Sequence, residues 1–434
     1  MGMGGYLWII NATSRSLKLT YQHSYQMNTW SFSEVPSQSM QRFYIEYSQY
    51  IFDRSSEDAG EANFQLDGIN EGFQLQAHWP YNQGECGLKV NWAGLTITNY
   101  AVFPPPTSSD IGELGWLRNG FLSLVVLERG TKTSVATNFP ESNSIVSKTT
   151  TLPFPITSLY SKWMEYYSYL LGNLTITEMT LPGTHDSGTY DPVSPFGAPW
   201  VRTQRLPLSK QLECGIRVLD LRIGQNSPGD YVVVHDTWRT SYSLQSALTE
   251  VTQFITSTNK EIVILDFHRF VNLDNGTSFD YSQLKSQIQQ YLSGCYLPVG
   301  EGSGKTLEDI WSTCGSKRVI VAWNTNNPDS YMWPGVNQRW YQGADSQQKL
   351  YETIKVDMQN PPSGMWAACS FVESGIFSTP ISNARETDPT ITRWFFGGSS
   401  FCEKSNIISV DFFEKYSNVV QASIIGSLLK AGAS

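Results

Sequence analysis

Three of the chain's five histidines, His185, His235 and His268, each stand at or beside the end of an apolar stretch, with carboxylates and an arginine close by. His185 lies in Thr180-Leu-Pro-Gly-Thr-His-Asp-Ser-Gly-Thr189, followed directly by Asp186. Gly183 and Gly188 permit tight backbone geometry on either side of it. Asp220 and Arg222 end Gly215-Ile-Arg-Val-Leu-Asp-Leu-Arg222, and strand alternation puts them on one face. His235 closes Val232-Val-Val-His235, and Asp266 and His268 share a face at the end of Ile262-Val-Ile-Leu-Asp-Phe-His268. Asp411 follows the apolar run Ile407-Ile-Ser-Val410. A phosphodiester cleaved in line needs a base and an acid on opposite sides of phosphorus. Imidazole suits both roles, because its ordinary pKa of ~6.5 lies near working pH. Carboxylates fix the tautomer and orientation of such rings. A guanidinium offers a two-pronged contact to the oxygens where charge develops.

These groups need rigid elements to bring them together. From residue 157 onward, helical and strand patterns alternate. Trp163, Tyr166, Tyr167, Leu170 and Leu171 recur at helical spacing, and Leu244, Leu248, Val251 and Ile255 form another apolar stripe. Ile216–Ile223, Tyr231–Val234, Ile262–Phe267 and Val319–Trp323 read as strands. This alternation implies a parallel sheet covered by helices. Residues 157–434 suffice for a β/α barrel of ~250 residues, whose functional groups sit at strand C-termini. Gly302-Ser-Gly-Lys-Thr306 imitates a phosphate-binding loop, but the glycine that the pattern needs is Val299, and a turn before a helix near Leu307 is expected instead.

The first part of the chain reads differently. Leu17, Leu19 and Tyr21 alternate with polar residues, as do Phe43, Ile45 and Tyr47, then Phe73, Leu75, Ala77 and Trp79, then Leu88, Val90 and Trp92. Period-two alternation over several short strands suggests a β-sandwich. The expected division is a β-sandwich-like domain over 1–135, a Ser/Thr/Pro-rich linker over 136–156 and the barrel over 157–434. Among 434 residues are 14 Trp and 22 Tyr, which suit either ordinary sheet packing or a surface for glycan or membrane contact. A net charge of −9 argues against nucleic acid as a partner. No signal peptide or membrane-spanning run is visible, so a cytoplasmic or peripheral-membrane location, or non-classical secretion, is expected. The six cysteines show no Cys-x-x-Cys pair and are expected to be buried thiols, with no zinc site.

The Pro-Gly-Thr-His-Asp-Ser-Gly, Gly-Ile-Arg-x-x-Asp-x-Arg and Val-His segments, in this order, resemble the X-type catalytic domain of phosphatidylinositol-specific phospholipase C, above all its bacterial, metal-independent branch. The resemblance covers about residues 160–415. It implies a distorted TIM-type barrel acting on a phospholipid at a membrane surface, yielding diacylglycerol and a cyclic inositol phosphate. It also implies roles. His185 is similar to the base that takes the inositol 2-hydroxyl proton, and Asp411 to its orienting carboxylate. His235 is similar to the acid that protonates the departing glycerol oxygen, with Asp186 as its partner. Arg222 resembles the phosphate-contacting arginine, with Asp220 beside it. The calcium-dependent branch would show an acidic residue at 222, Asn at 186 and Glu at 268. The chain has Arg222, Asp186 and His268, so no metal and no other cofactor are expected.

Two departures bear on the substrate. The resemblance predicts a basic residue, commonly Lys, where His268 stands, and Arg near Asn324. Substrate contact is therefore expected from His268, Asp266 and Asn324, with Trp340 and Tyr341 stacking on a sugar-like ring. The alternatives are a phosphodiesterase acting on another headgroup, or a catalytically weak protein that binds lipid or glycan.

Overall fold

The computed structural model describes residues 3–128 and 158–431, except 38, 49–57, 82–84, 92–99, 104–110, 117–120, 194–196, 275–277, 342, 374–377, 397–400 and 418. The expected linker 136–156 and Trp92 lie outside the described residues. The chain divides into two compact units, residues 1–148 with 432–434 and residues 149–431.

The first unit contains β1 (Met3–Ala12), β2 (Leu17–Tyr25), β3 (Met27–Trp30), β4 (Ser39–Tyr47), β5 (Ala59–Leu66), β6 (Gly72–Tyr81), β7 (Glu85–Asn91), β8 (Tyr100–Phe103), β9 (Ile111–Trp116) and β10 (Phe121–Glu128). They form two five-stranded sheets, ordered β3-β4-β1-β10-β8 and β2-β5-β6-β7-β9. The alternating apolar residues do what period two requires, except Tyr21, which a register shift after Leu19 leaves 48% exposed. Phe43 and Ile45 of one sheet and Phe64, Leu75 and Val90 of the other belong to one buried cluster. Two sheets sharing one core is the architecture that the alternation pointed to.

The second unit is built on β11 (Leu181–Thr184), β12 (Val218–Ser227), β13 (Asp230–His235), β14 (Trp238–Ser243), β15 (Val263–Asn272), β16 (Val319–Trp323), β17 (Trp333–Pro334), β18 (Asn337–Arg339), β19 (Trp366–Cys369) and β20 (Ile407–Val410). Eight of these run in the order β17-β16-β15-β12-β11-β20-β19-β18, with neighbouring staves paired in parallel. Read around the sheet, this is the sequential order of a β/α barrel, open between β17 and β18 among the described residues. The opening has a local cause. Pro334 has no N–H to donate, and only two residues separate it from the next stave, which begins at Asn337. Asp266 fills the break: it accepts from the Val336 N–H at 3.4 Å and from Gln338 Nε2 at 2.7 Å, and it also bonds Asn324 Nδ2. Gly335 passes so close to Asn324 that a Cβ there would lie 2.1 Å from Oδ1.

Two elements differ from the pattern reading. The segment Tyr231–Val234 is not a barrel stave. Pro228-Gly229 turns the chain back, and β13 pairs antiparallel with β12 and with β14. The helical stripe around Trp163 is broken into three turns, Ser158–Ser161, Trp163–Tyr166 and Ser168–Leu171. Here Arg217 Nη2 takes the carbonyls of Tyr160 and Ser161, and Glu261 takes the N–H groups of Met164 and Glu165. Backbone groups committed to side chains cannot also propagate a helix. The helix Leu307–Thr313 begins as the turn reading expected, with Thr306 and Asp309 forming a capping box.

Arg217 and Glu261 are fully buried, with Nε 2.8 Å from Oε2. Replacing Glu261 with alanine would leave an uncompensated buried cation. The expected loss is about 3–5 kcal/mol in a urea unfolding experiment. An unchanged midpoint would show that the pair contributes nothing to the barrel.

Cys214, Cys295, Cys314, Cys369 and Cys402 are free thiols, four of them buried. Among the described residues, no helix is long and apolar enough to cross a membrane.

Candidate active site

The site grows from the C-terminal ends of β11 and β20, which pair in parallel. His185 and Asp411 are the first residues beyond these strands, so adjacency of the strands makes them neighbours. His185 Nδ1 lies 2.8 Å from Asp411 Oδ1. The His185 carbonyl accepts from Thr203 Oγ1 and Gln204 Nε2, both at 3.0 Å. Its ring stacks on Phe371 with centroids 4.1 Å apart, and Trp340 meets it edge-on at 5.1 Å. The imidazole is thus held on three sides.

Backbone strain is concentrated here. The residues after His185, His235 and Asp411 are Asp186, Asp236 and Phe412, with φ of 43°, 51° and 43°. Left-handed geometry is unfavourable for non-glycine residues and persists only where surroundings enforce it. The Phe412 N–H donates to the Thr203 carbonyl at 2.8 Å, and the Asp186 N–H to Asp220 Oδ2 at 3.1 Å. Gly188 is needed for a different reason: a Cβ there would lie 2.6 Å from Val233 Cγ1.

Arg222 connects the carboxylates. Its Nε contacts Asp186 Oδ1, and its Nη2 lies 3.2 Å from Asp220 Oδ2. The guanidinium also sits 5.0 Å from the Trp340 ring centre. His235 arrives from β13, the hairpin strand. Its ring centre is 6.4 Å from that of His185. Its Nδ1 donates to the Val201 carbonyl at 2.7 Å, with Asp186 Oδ2 farther away at 3.5 Å. The resemblance implied Asp186 as the partner of His235, but a backbone carbonyl makes the closer bond. Asp186 lies between the two rings, also 3.5 Å from His185 Nε2.

These groups border one cavity of about 690 Å³, lined by His185, Arg222, His235, His268, Trp340 and Asp411 among others. Burial pushes the His185 imidazole down to about 4, against the pull of Asp186. Burial also pushes the Asp411 carboxyl well above its usual range. A neutral ring that gives its one N–H to Asp411 through Nδ1 leaves Nε2 without a proton. That atom is buried without a hydrogen-bond partner. Burial would raise Asp220, but Arg222, His268 and His185 outweigh it and hold it at about 2. Burial likewise opposes the charge on Arg222, yet Asp186 and Asp220 hold its guanidinium more firmly protonated than usual. For His268, burial works downward, while Asp266 and Asp220 prevail and raise it. A neutral base, a firm guanidinium and a cation-prone imidazole thus share one space.

Ligand atoms of His185, Asp186 and Asp220 lie within 4.8 Å of one another, a spacing a metal ion could use. Arg222 already engages both of these carboxylates.

Three residues expected to contact substrate are placed elsewhere. Tyr341 is buried and its hydroxyl donates to Asp357 Oδ2 at 3.0 Å, because the chain turns it away from the side that Trp340 faces. Asp266 and Asn324 are bonded to each other at the barrel opening and do not border the cavity. His268 does border it, and so does Arg269. Consecutive strand residues normally point to opposite faces. Here a bulge intervenes: Leu221 pairs with Phe267 and Arg222 with Arg269, leaving His268 extra.

Sequence reading missed Phe371, Trp200 and Arg269, which line the cavity, and Gln338, whose Oε1 accepts the Trp340 indole N–H at 2.9 Å. No motif surrounds the first two, and the bulge that redirects Arg269 leaves no mark in a single sequence.

Residues 179–290 match the family model described as phosphatidylinositol-specific phospholipase C, X domain. PI-PLC X domain-containing protein 1 of Mus musculus is 25% identical over 301 residues, covering 58% of this chain and 82% of that protein. PI-PLC X domain-containing protein 3 of Danio rerio is 24% identical over 302 residues, covering 59% and 89%. Among solved structures, the phosphatidylinositol-specific phospholipase C of S. aureus aligns with a TM-score of 0.50 at 17% identity, over 62% of this chain and 97% of that one. That likeness shows the barrel fold.

Proposed function

We propose that this chain, which carries an X domain of the phosphatidylinositol-specific phospholipase C family, cleaves the glycerol–phosphate bond of phosphatidylinositol or a related phospholipid without a metal ion. The observation that carries the reading is the pair of imidazoles 6.4 Å apart, bordering one cavity with Arg222. In the proposed reaction, His185 Nε2 takes the proton of the ring 2-hydroxyl as that oxygen attacks phosphorus. Asp411 stabilises the imidazolium so formed. The bond from phosphorus to the glycerol oxygen breaks, and His235 Nε2 gives that oxygen a proton. Diacylglycerol leaves, and the phosphate closes into a five-membered ring with the inositol. Arg222 offsets the charge that builds on the phosphoryl oxygens. Its own position is held by Asp186 and Asp220.

Cleavage of phosphatidylinositol vesicles by the purified chain tests this directly. Activity should persist in excess chelator, and its loss there would overturn the metal-free reading. A second reading keeps the reaction and changes the headgroup. It is favoured by Asn324, which is engaged by Asp266 and so does not offer the cavity a hydroxyl-reading group. Turnover of vesicles bearing other headgroups, with none for inositol, would select it.

The pH profile carries a sign. His185 must be neutral to act as base, and burial holds it at about 4. The acid limb is therefore expected near pH 4, well below the ~6.5 of a free imidazole. The same group links stability to pH. Between ~6.5 and about 4 the unfolded chain binds the proton that the folded chain refuses, so stability falls as pH drops through that window. An acid limb at ~6.5 would show that His185 is not the buried base.

A further inference from the structure

We infer that the outer face of the sheet β2-β5-β6-β7-β9 binds a neutral oligosaccharide. This groove belongs to the first unit and owes nothing to the barrel's chemistry. It has a volume of about 420 Å³ and is lined by Asn63, Gln65, Asn70, Gln74 and Asn91 among others. Strand register builds it. Tyr21 pairs with Asn63, Asn63 with Gln74 and Gln74 with Asn91, forming one rung across four strands. The alternate residues Ala62, Phe64, Leu75 and Val90 are buried in the core, so this rung stands on the opposite face.

The rung's amides are unevenly satisfied. Asn63 Oδ1 is buried without a hydrogen-bond partner, a costly state for a carbonyl oxygen. Gln74 Oε1 accepts from Gln76 Nε2 at 2.6 Å, so what Gln74 has left to offer is its NH₂ group. An unpaired acceptor and a donor thus sit on paired strands, and the acceptor meets a ligand when the Asn63 amide turns outward. A sugar hydroxyl donates to one such group and accepts from the other, and a run of amides repeats the offer. Tyr21, 48% exposed and directly across from Asn63, adds an aromatic face for the C–H side of a hexose ring.

Other ligand classes fit poorly. Among the described residues the lining contains no Lys or Arg and does contain Glu71, which disfavours phosphate and anionic lipid. A peptide adding as a strand needs a sheet edge, and this is a face. The volume falls within the usual range for a small ligand, about 300–1,000 Å³.

The test uses the full chain on immobilised neutral oligosaccharides of gluco, manno and galacto configuration, with zwitterionic phosphatidylcholine vesicles alongside. At least one sugar series should be retained. Asn63→Ala and Gln74→Ala should each weaken that binding about tenfold, the scale of one lost hydrogen bond. His185→Ala should bind sugar as the wild type does, separating this face from the barrel. Unchanged thermal melting of the two groove variants would show that their loss is local. Failure of every sugar series, wild-type affinity in both groove variants, or vesicle binding that depends on Asn63 and Gln74 would each overturn the inference.

Discussion

Replacing His235 with alanine should lower turnover of phosphatidylinositol vesicles by about 10²–10⁴-fold, the usual worth of a positioned proton donor. His185→Ala should cost as much or more. The two variants should part company on a substrate whose leaving group is an acidic phenol. A phenolate departs without a proton, so His235→Ala should recover most of its activity there. His185→Ala should not, because the attacking hydroxyl still needs a base. The structure supports this division. The bare, buried Nε2 of His185 suits proton uptake. The bond from His235 Nδ1 to the Val201 carbonyl fixes the proton on Nδ1 and presents Nε2 for transfer. Equal defects on both substrates would sink the assignment of acid and base, though not the site.

The second large effect concerns Arg222. Arg222→Lys keeps the charge but should still cost about 10²–10³-fold in turnover, the range seen when one preorganised donor to the developing charge is lost. A guanidinium spans Asp186 and Asp220 with different nitrogens, and a single ammonium cannot reproduce that fork. Two buried carboxylates would then face each other with weaker compensation. The side chain would also lose the guanidinium's contact with the Trp340 ring. The pH profile separates this role from general misfolding. With less cationic compensation, the carboxylates around His185 should shift its acid limb upward. Wild-type turnover in the lysine variant would show that charge alone suffices, and that the two-pronged geometry plays no part.

Much of the site could be read from local spacing. His185, Asp220, Arg222 and Asp411 stand in short segments where an apolar strand ends in polar residues, the place where a β/α barrel carries its functional side chains. Asp186 was likewise legible as the neighbour of His185. The alternation in β2, β4, β6 and β7 marked a sheet with one buried face, since period two permits little else.

Other assignments depended on contacts between distant segments. Tyr231–Val234 looks like a stave by composition, but its hairpin pairing comes from the turn at Pro228-Gly229 and from β12. His268 and Arg269 share the cavity through a register slip against β12, which only the partner strand defines. Asp266 and Asn324 occupy motif positions that suggest substrate contact. Tertiary structure turns them to the break beside Pro334, where free backbone and amide groups need an acceptor.

The sequence by itself determined which chemical groups are present, their order along the chain and the strands that end in them, because period and motif are local properties. Only the tertiary structure decided which groups meet. Burial, pairing register and the competition for each carboxylate arise between residues far apart in the chain. Those same factors set the proton on His185, the fork of Arg222 and the departure of Asp266 and Asn324 from the cavity.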